Sequence, residues 1–320
     1  MRRTFSRLTA LFLAFFLPFS LSRGVCADKS IRWAELHITK AALTDCVEAD
    51  IASHDTERHT PLVALLSVLG VRYGGDFKRY KKADLRTVLA ACAAGEDFRT
   101  MAGNDKLYTY YTKVYTAVFG GFVGFHRVFA DGVWTEEYGV QVFSPIAAGW
   151  SYSHYDDFGA ARSYGYKREH LGHDLMGAVG TPIVAVESGV VEACGWNRFG
   201  GWRLGIRSFD GLRYYYYAHL RKGHPYADVH AGDIVYAGEV IGYMGMTGYS
   251  TKEDVNNINV PHLHFGVQLI FDPAEKDGNT QIWLDLYEYT RFLERYRAST
   301  ESTDGQRRSL TIRIPADAWD

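Results

Sequence analysis

The chain has 320 residues, of which 47% are hydrophobic and 22% are charged, so its composition is typical of a globular protein and excludes an intrinsically disordered one. Lysine and arginine together number 35 against 37 aspartate and glutamate residues, which gives a formal net charge of −2. Domains that bind nucleic acid usually carry an excess of basic residues, so this balance argues against nucleic acid as a partner.

The N-terminal segment predicts a secretory signal peptide. Three arginines within the first seven residues precede an apolar run of 14 residues, Leu8 to Leu21. A membrane span needs about 20 apolar residues, and the small residues before Asp28 fit a cleavage site after Ala27. We therefore expect an exported protein with no membrane span in its mature chain, and an uncleaved N-terminal anchor is the alternative. Residues 1–27 hold four arginines and no acidic residue, so the mature chain would keep 31 basic residues (35 less four) and a net charge of −6.

Residues 28–125 predict a helical domain. The stretch TPLVALLSVLGVRYG offers Thr60 as the N-cap and Pro61 as the first helical residue, and its leucines recur at helical spacing. Three more stretches, TDCVEADIASH, KKADLRTVLAACAAGEDF and KLYTYYTKVYTAVFGG, also predict helices. No cluster in them indicates catalysis, so the role of this domain stays open. Cys46 and Cys92 could form a disulfide in an exported protein or remain buried thiols.

From Phe122 onward the pattern changes to short apolar stretches bounded by glycine or Asp-Gly turns. Examples are GTPIVAVESGVVEACGW, WRLGIRSFDGLRYYYYAHL and VHAGDIVYAGEVIGYMG. Short strands at this spacing predict a compact, mainly antiparallel β domain over residues 126–283. Residues 284–320 predict a C-terminal helix, then the polar linker TESTDGQRRS, then a last strand or a loose tail. The predicted fold class is α+β, with the helical domain first.

Eight of the twelve histidines lie between residues 154 and 264, inside the predicted β domain. His170 and Asp174 lie in EHLGHDLMG, His219 ends YYYYAHL, and His262 and His264 lie in PHLHF. Residues two apart in a strand face the same side, so His262 and His264 should share a face while the residues next to them enter the core. Two imidazoles on one exposed face can converge on a single small target.

Three further residues are candidates for substrate contact. The alternation rule places Tyr217 on the face of His219, while His154 lies in a segment rich in tyrosine and aspartate that could wall a groove. Tyr249, in TGYST, is the third candidate. The same rule turns His173 away from Asp174, as a surface residue or one that supports the site.

A hydrolytic zinc site needs three nitrogen or oxygen ligands and one open position for water. Two histidines and an aspartate meet that need, and further histidines at the rim can transfer protons and stabilise a developing oxyanion. Each short motif alone is weak evidence, because such spacings occur often by chance. Their succession within one predicted β domain is much stronger evidence.

The succession of HLGHD, YAHL and HLH resembles the lysostaphin-type zinc metalloendopeptidases, which cut peptide cross-bridges or stems of bacterial peptidoglycan. The resemblance covers roughly residues 165–270 and implies the lysostaphin-type fold with an open groove. It implies one zinc ion held by His170, Asp174 and His264, with His219 and His262 as catalytic histidines, and peptidoglycan peptides as the partner. Which of the two catalytic histidines acts as general base stays open. Asp156 and Asp157 are rival carboxylates, but the order of the motifs favours Asp174.

Two departures from the family pattern concern specificity. Residues 252–260 separate TGYST from PHLHF and are expected to form a loop beside the groove, and Gly266 stands where the family often has glutamate. Neither change removes a ligand, so the function predicted is that of an exported zinc endopeptidase acting on peptidoglycan, with the bond it cuts left open. The alternatives are a non-catalytic cell-wall-binding or scaffold protein on the same fold and a small-molecule metallohydrolase. The sequence gives no indication of the oligomeric state.

Overall fold

The computed structural model describes residues 32–34, 36–163, 167–276, 281–303 and 305–318. The predicted signal peptide, residues 1–27, lies outside the described residues. Across those ranges, no helix combines the length and the apolar character that a membrane crossing requires.

Among the described residues, five of the six α-helices lie between the first strand of the main sheet and its other strands. The helices are α1 (Lys40–Ser53), α2 (Leu62–Tyr73), α3 (Lys82–Ala93), α4 (Phe98–Ala102), α5 (Asp105–Phe119) and α6 (Tyr287–Leu293). Short 3-10 helices occupy Phe77–Arg79, Pro273–Glu275 and Ala316–Ala318. The four predicted N-terminal helices correspond to α1, α2, α3 and α5, and the predicted C-terminal helix corresponds to α6, while the short helix α4 was not predicted.

The strands are β1 (Arg32–Ala34), β2 (Val123–Ala130), β3 (Val133–Val140), β4 (Tyr152–Tyr155), β5 (Ala161–Ser163), β6 (Lys167–Glu169), β7 (His173–Gly177), β8 (Pro182–Val184), β9 (Gly189–Asn197), β10 (Gly201–Ser208), β11 (Arg213–Ala218), β12 (Ile234–Val235), β13 (Val240–Tyr243), β14 (His262–Leu269), β15 (Ile282–Leu284), β16 (Thr300–Thr303), β17 (Gln306–Ser309) and β18 (Ile312–Pro315). Nine of them form the main sheet, in the order β1-β15-β14-β11-β10-β9-β12, with β7 paired to β14 and β4 paired to β7. Within this sheet only β1 and β15 are parallel, and the other described pairs are antiparallel. The mainly antiparallel α+β fold is therefore confirmed.

Helix α2 begins one residue later than predicted. Pro61 is the N-cap, and the amide of Leu62 donates a 2.7 Å hydrogen bond to a carboxylate oxygen of Asp50, which lies in α1. Thr60, the predicted N-cap, instead pairs its hydroxyl with Ser53 at 2.7 Å. A carboxylate from a neighbouring helix thus satisfies an amide at the start of α2, a long-range contact that local sequence does not encode.

The helices and the main sheet share one hydrophobic core, which runs from α1, α2 and α5 into β11 and β14. Arg213, the first residue of β11, lies where the helices meet the sheet, and it is only 1% exposed. Its guanidinium forms an ion pair with Glu187 at 2.8 Å and donates a hydrogen bond of 2.9 Å to the carbonyl of Ala117. That carbonyl lies in the last turn of α5, where helix carbonyls lack partners within the helix. A buried ion pair therefore fixes the helical region against the sheet.

Two expectations for the ends of the chain are corrected, and one alternative that the sequence left open is decided. The region predicted as helical includes β1, which pairs with β15. The stretch predicted as a polar linker instead contains β16 and β17, which pair as antiparallel strands, and Gly305, just before β17, has a φ of 79°. Residues 312–315, left as a strand or a loose tail, form β18, which pairs with β2. Cys46 and Cys92 are both buried free thiols.

Candidate metal centre and groove

Strands β7 and β14 bring three potential metal ligands to one point. Asp174 on β7 is the cross-strand partner of His264 on β14, and His170 precedes β7. His170 Nε2 lies 3.0 Å from Asp174 Oδ1 and 2.9 Å from His264 Nδ1, and the latter two atoms are 3.0 Å apart. The sequence predicted this convergence of three residues, and the geometry brings all three together.

The donor set and the packing around it fit a zinc ion. Two imidazole nitrogens and one carboxylate oxygen are ligands that Zn²⁺ uses in catalytic sites, and tetrahedral bonds of about 2.0–2.1 Å place neighbouring ligand atoms about 3.3 Å apart. The observed triangle is only slightly tighter. Gly172 permits this closeness, because a Cβ there would lie 2.6 Å from the ring of His264.

Burial and neighbouring charges set the protonation of this triangle. Burial alone would lower the pKa of His170, but Asp157 and Asp174 outweigh it and raise that pKa to about 9. Burial lowers the pKa of His264 to about 4. Burial opposes ionisation of Asp174, yet its contacts with the two histidines hold its pKa below the usual range. Without a metal, a proton on His170 balances the carboxylate, and metal binding would displace that proton.

Asp157 lies behind the triangle rather than in it. Its Oδ1 is 2.8 Å from His170 Nδ1, the ring nitrogen that faces away from Asp174 and His264. A carboxylate in this position orients a ligand histidine. Arg162 of β5 contacts Asp157 and also lies 3.1 Å from Asp174 Oδ2. Among the described residues, neither Asp156 nor Asp157 joins the cluster of potential ligands.

His219 and His262 lie beside the triangle and face each other. Their ring centroids are 4.8 Å apart, and His262 Nε2 is 3.8 Å from Asp174 Oδ2. His219 Nδ1 contacts the carbonyl of Thr247, and His262 Nδ1 contacts the carbonyl of Val260, both at 2.8 Å. A carbonyl partner requires a proton on Nδ1, so in the neutral form of either ring Nε2 is the unprotonated nitrogen. Burial also holds the pKa of His219 well below its ordinary value.

The predicted substrate contact by Tyr217 is wrong. Its side chain is fully buried, pairs with Phe265 across the sheet, and accepts a hydrogen bond from the Val186 amide. The alternation rule failed because His219 lies one residue beyond the end of β11 and has a φ of 62°, a left-handed conformation that turns its side chain to the other face. Tyr216, next to Tyr217, lines the groove instead.

The predicted groove contact by His154 is wrong as well. His154 on β4 pairs with the buried Leu175 of β7, so it lies on the face opposite to Asp174. It contacts His173 Nε2 at 2.8 Å and Glu294 at 2.9 Å. His173 does point away from Asp174, as predicted, but it is 1% exposed and not a surface residue.

Tyr249, the third candidate, does line the groove. Its ring centroid is 6.0 Å from that of His219, and its hydroxyl contacts the guanidinium of Arg168. The segment 252–260 lies beside the groove, where Ile258 and Val260 line it. The predicted position of this insertion is therefore confirmed.

The groove is a cavity of about 1150 Å³ whose floor is the face of β7, β14 and β11 that carries the histidines. Sequence reasoning missed several of its lining residues, among them Arg168, Phe199, Arg203, Tyr216 and Trp283. The alternation in β11 contained a signal for Tyr216, but only the pairing of Ala218 with His264 shows which set of side chains faces the groove.

Comparison with known proteins places the site in a family. The profile of Peptidase family M23 matches residues 168–277, about a third of the chain. The chain is 38% identical over 155 residues to the L-Ala–D-Glu endopeptidase of Bacillus subtilis, which covers 48% of this chain and 44% of that protein. It is 40% identical over 97 residues to lysostaphin of Staphylococcus staphylolyticus, which covers 30% of this chain and 18% of that protein. The chain thus spans less than half the length of these curated relatives.

A solved structure supports the fold. The crystal structure of a candidate glycyl-glycine endopeptidase, lytM, from Ruminococcus gnavus superposes with a TM-score of 0.52 at 23% identity, covering 80% of this chain and 93% of that one. At this identity the likeness concerns the fold alone. The profile match and the two relatives, by contrast, identify residues 168–277 of this chain as a peptidase family M23 domain, homologous to lysostaphin.

Proposed function

We propose that the protein is a zinc-dependent endopeptidase that hydrolyses peptide bonds in bacterial peptidoglycan. One observation carries the proposal: the His170–Asp174–His264 triangle lies on the floor of an open groove, with two further imidazoles beside it. The names of the similar proteins, an L-Ala–D-Glu endopeptidase and lysostaphin, point to the same class of reaction.

The bound metal and the two neighbouring histidines would have different roles in hydrolysis. When bound, zinc supplies a Lewis acid that polarises a carbonyl group and lowers the pKa of water toward ~7. The unprotonated Nε2 of His219 or His262 can take a proton from the attacking water and return it to the leaving amine. The other imidazole, whose ring centroid is 4.8 Å away, can stabilise negative charge on the substrate when its Nε2 also carries a proton. The open groove admits an extended peptide that is part of a polymer.

We also propose that the protein acts outside the cytoplasm. The arginine-rich start and the 14-residue apolar run support export. N-terminal sequencing of the protein recovered from the cell envelope or the medium tests this. A mature chain that begins near Asp28 is expected, and an intact N-terminus on protein confined to the cytoplasm would contradict export.

Cleavage of purified peptidoglycan tests the enzymatic proposal. We expect the full chain to release soluble muropeptides, a chelator to abolish the release, and zinc to restore it. His264→Ala should abolish it too, while His230→Ala, whose side chain is 77% exposed, should not. A protein that binds peptidoglycan without zinc and releases no fragments would instead be a wall-binding module. Cleavage of small esters or peptides alone would indicate a small-molecule hydrolase.

A further inference from the structure

Arg203 of β10 lies level with the metal triangle on the sheet that forms the floor of the groove. Leu204 of β10 pairs with Tyr217 of β11, which places its neighbour Arg203 opposite Ala218, and Ala218 in turn pairs with His264. Adjacent strands are about 4.8 Å apart, so the backbone of Arg203 lies roughly 10 Å from that of His264. Arg203 lines the same cavity as the ligands.

The side chains on the groove floor between Arg203 and the metal triangle are small. Ala218, the residue between them, offers only a methyl group. Two glycines lie beside Arg203 and Ala218, at positions where even a Cβ would not fit. A Cβ at Gly200 would lie 2.3 Å from the hydroxyl of Tyr216, and one at Gly205 would lie 1.8 Å from the hydroxyl of Tyr214. An extended peptide can therefore lie across this part of the sheet from the triangle to Arg203.

None of the acidic residues that the structure describes balances the positive charge of Arg203. Within the described part of the chain, no carboxylate lies within 4.0 Å of its guanidinium, and its buried Nε has no hydrogen-bond partner. Two other cations that line the cavity differ, because Arg162 contacts Asp157 and Lys276 contacts Glu192. A half-buried guanidinium without an acid is suited to bind an anion from the ligand.

The neighbours of Arg203 add a second donor. Tyr216 lies diagonally across from it on β11, and the Tyr216 oxygen accepts a 3.1 Å hydrogen bond from Asn197 Nδ2. The Tyr216 hydroxyl proton is then available to a ligand. A planar guanidinium and a nearby hydroxyl match the two oxygens of a carboxylate, which an arginine binds in a forked geometry.

We propose that Arg203 is a specificity-determining residue that binds a free carboxylate of the substrate peptide, one to three residues from the bond that is cut. The proposal rests on the proposed function and narrows its substrate to peptides with an acidic residue beside the scissile bond. Of the bonds named for the similar proteins, the alanyl-glutamate bond carries such a carboxylate and the glycyl-glycine bond does not.

Binding to metal-free protein tests the proposal without catalysis. Two muropeptides that differ only in a free or amidated glutamate α-carboxylate are titrated into the chelator-treated full chain. We expect wild type to bind the free carboxylate roughly 10- to 100-fold more tightly, as for a hydrogen bond to a charged group. Arg203→Met should remove this preference. Arg207→Met should keep it, because Arg207 lies on the same face of β10 but does not line the cavity.

The outcomes separate this proposal from the proposed function. Equal affinity of wild type for the two peptides, a preference that survives Arg203→Met, or no binding of either peptide would overturn the role of Arg203. Cleavage is measured separately with zinc-loaded protein. A carboxylate preference in binding without any cleavage would support the subsite and contradict the enzymatic activity.

Discussion

The two faces of the main sheet both carry histidines, but their surroundings differ. On the groove face, His170 and His264 meet Asp174 with three donor atoms within 3.0 Å of each other and a cavity beside them. On the opposite face, His173 forms a hydrogen bond with His154, and the other ring nitrogen of His154 lies 2.9 Å from Glu294, the C-cap residue of α6. The first arrangement suits a cation, and the second is a hydrogen-bonded contact between the sheet and a helix.

This comparison of the two faces shows that adjacent residues of one strand can have different roles. His173 and Asp174 are neighbours in sequence, yet one is buried against α6 and the other belongs to the metal site. Successive side chains of a strand face opposite sides, so a shift by one residue would exchange the two sets. Substitutions on the groove face should therefore change activity, and those on the opposite face should change stability.

The largest expected effect is on the groove face, at His219. His219→Asn removes the imidazole while asparagine tolerates the left-handed backbone found there. Loss of a proton-transfer group should lower kcat/KM for muropeptide cleavage by about 10²- to 10⁴-fold. Thermal unfolding and zinc content should change little. A variant with wild-type kcat/KM would show that His219 takes no part in the reaction.

The next effect concerns the opposite face, at Arg213. Arg213→Met leaves Glu187 buried without its partner, which should lower the free energy of unfolding by about 3–5 kcal/mol. Replacing both residues, Arg213→Met with Glu187→Leu, should recover much of the loss. Arg207→Met, which breaks an ion pair nearer the surface, should cost at most about 1 kcal/mol. Urea unfolding measures all three, and equal losses for the two arginine variants would contradict the account.

The smallest effect compares two adjacent tyrosines on opposite faces. Tyr217→Phe leaves the buried Val186 amide without an acceptor and should cost about 1–3 kcal/mol of stability, with kcat/KM unchanged. Tyr216→Phe should raise KM and cost less stability than Tyr217→Phe, because Tyr216 lines the groove and its donor Asn197, which also lines it, can bind water instead. The reverse assignment would show that the two faces are exchanged.

The sequence predicted the site better than its surroundings. Periodicity within PHLHF placed His262 and His264 together, with Leu263 and Phe265 in the core, and both of these are fully buried. The rule failed at His219, because alternation holds only while the backbone stays extended. Nothing in the sequence YYYYAHL predicts that His219, just after the strand, has a left-handed backbone conformation.

Long-range contacts account for the other misses. The pairing of β1 with β15 and the capping of α2 by Asp50 join residues far apart in the chain. The uncompensated charge of Arg203 becomes visible only when β10 and β11 are aligned in register. Local patterns report which segments form helices or strands, whereas these contacts depend on how the segments are arranged in space.

The zinc content of variants at two adjacent residues, His173 and Asp174, tests most directly whether only the groove face of the sheet binds the metal. Elemental analysis of the purified full chain should find about one zinc ion per wild-type chain. Asp174→Ala should lose the metal, and His173→Gln, which can keep the hydrogen bond to His154, should retain it. Wild-type protein without zinc, or a His173→Gln variant that loses zinc as Asp174→Ala does, would contradict the account.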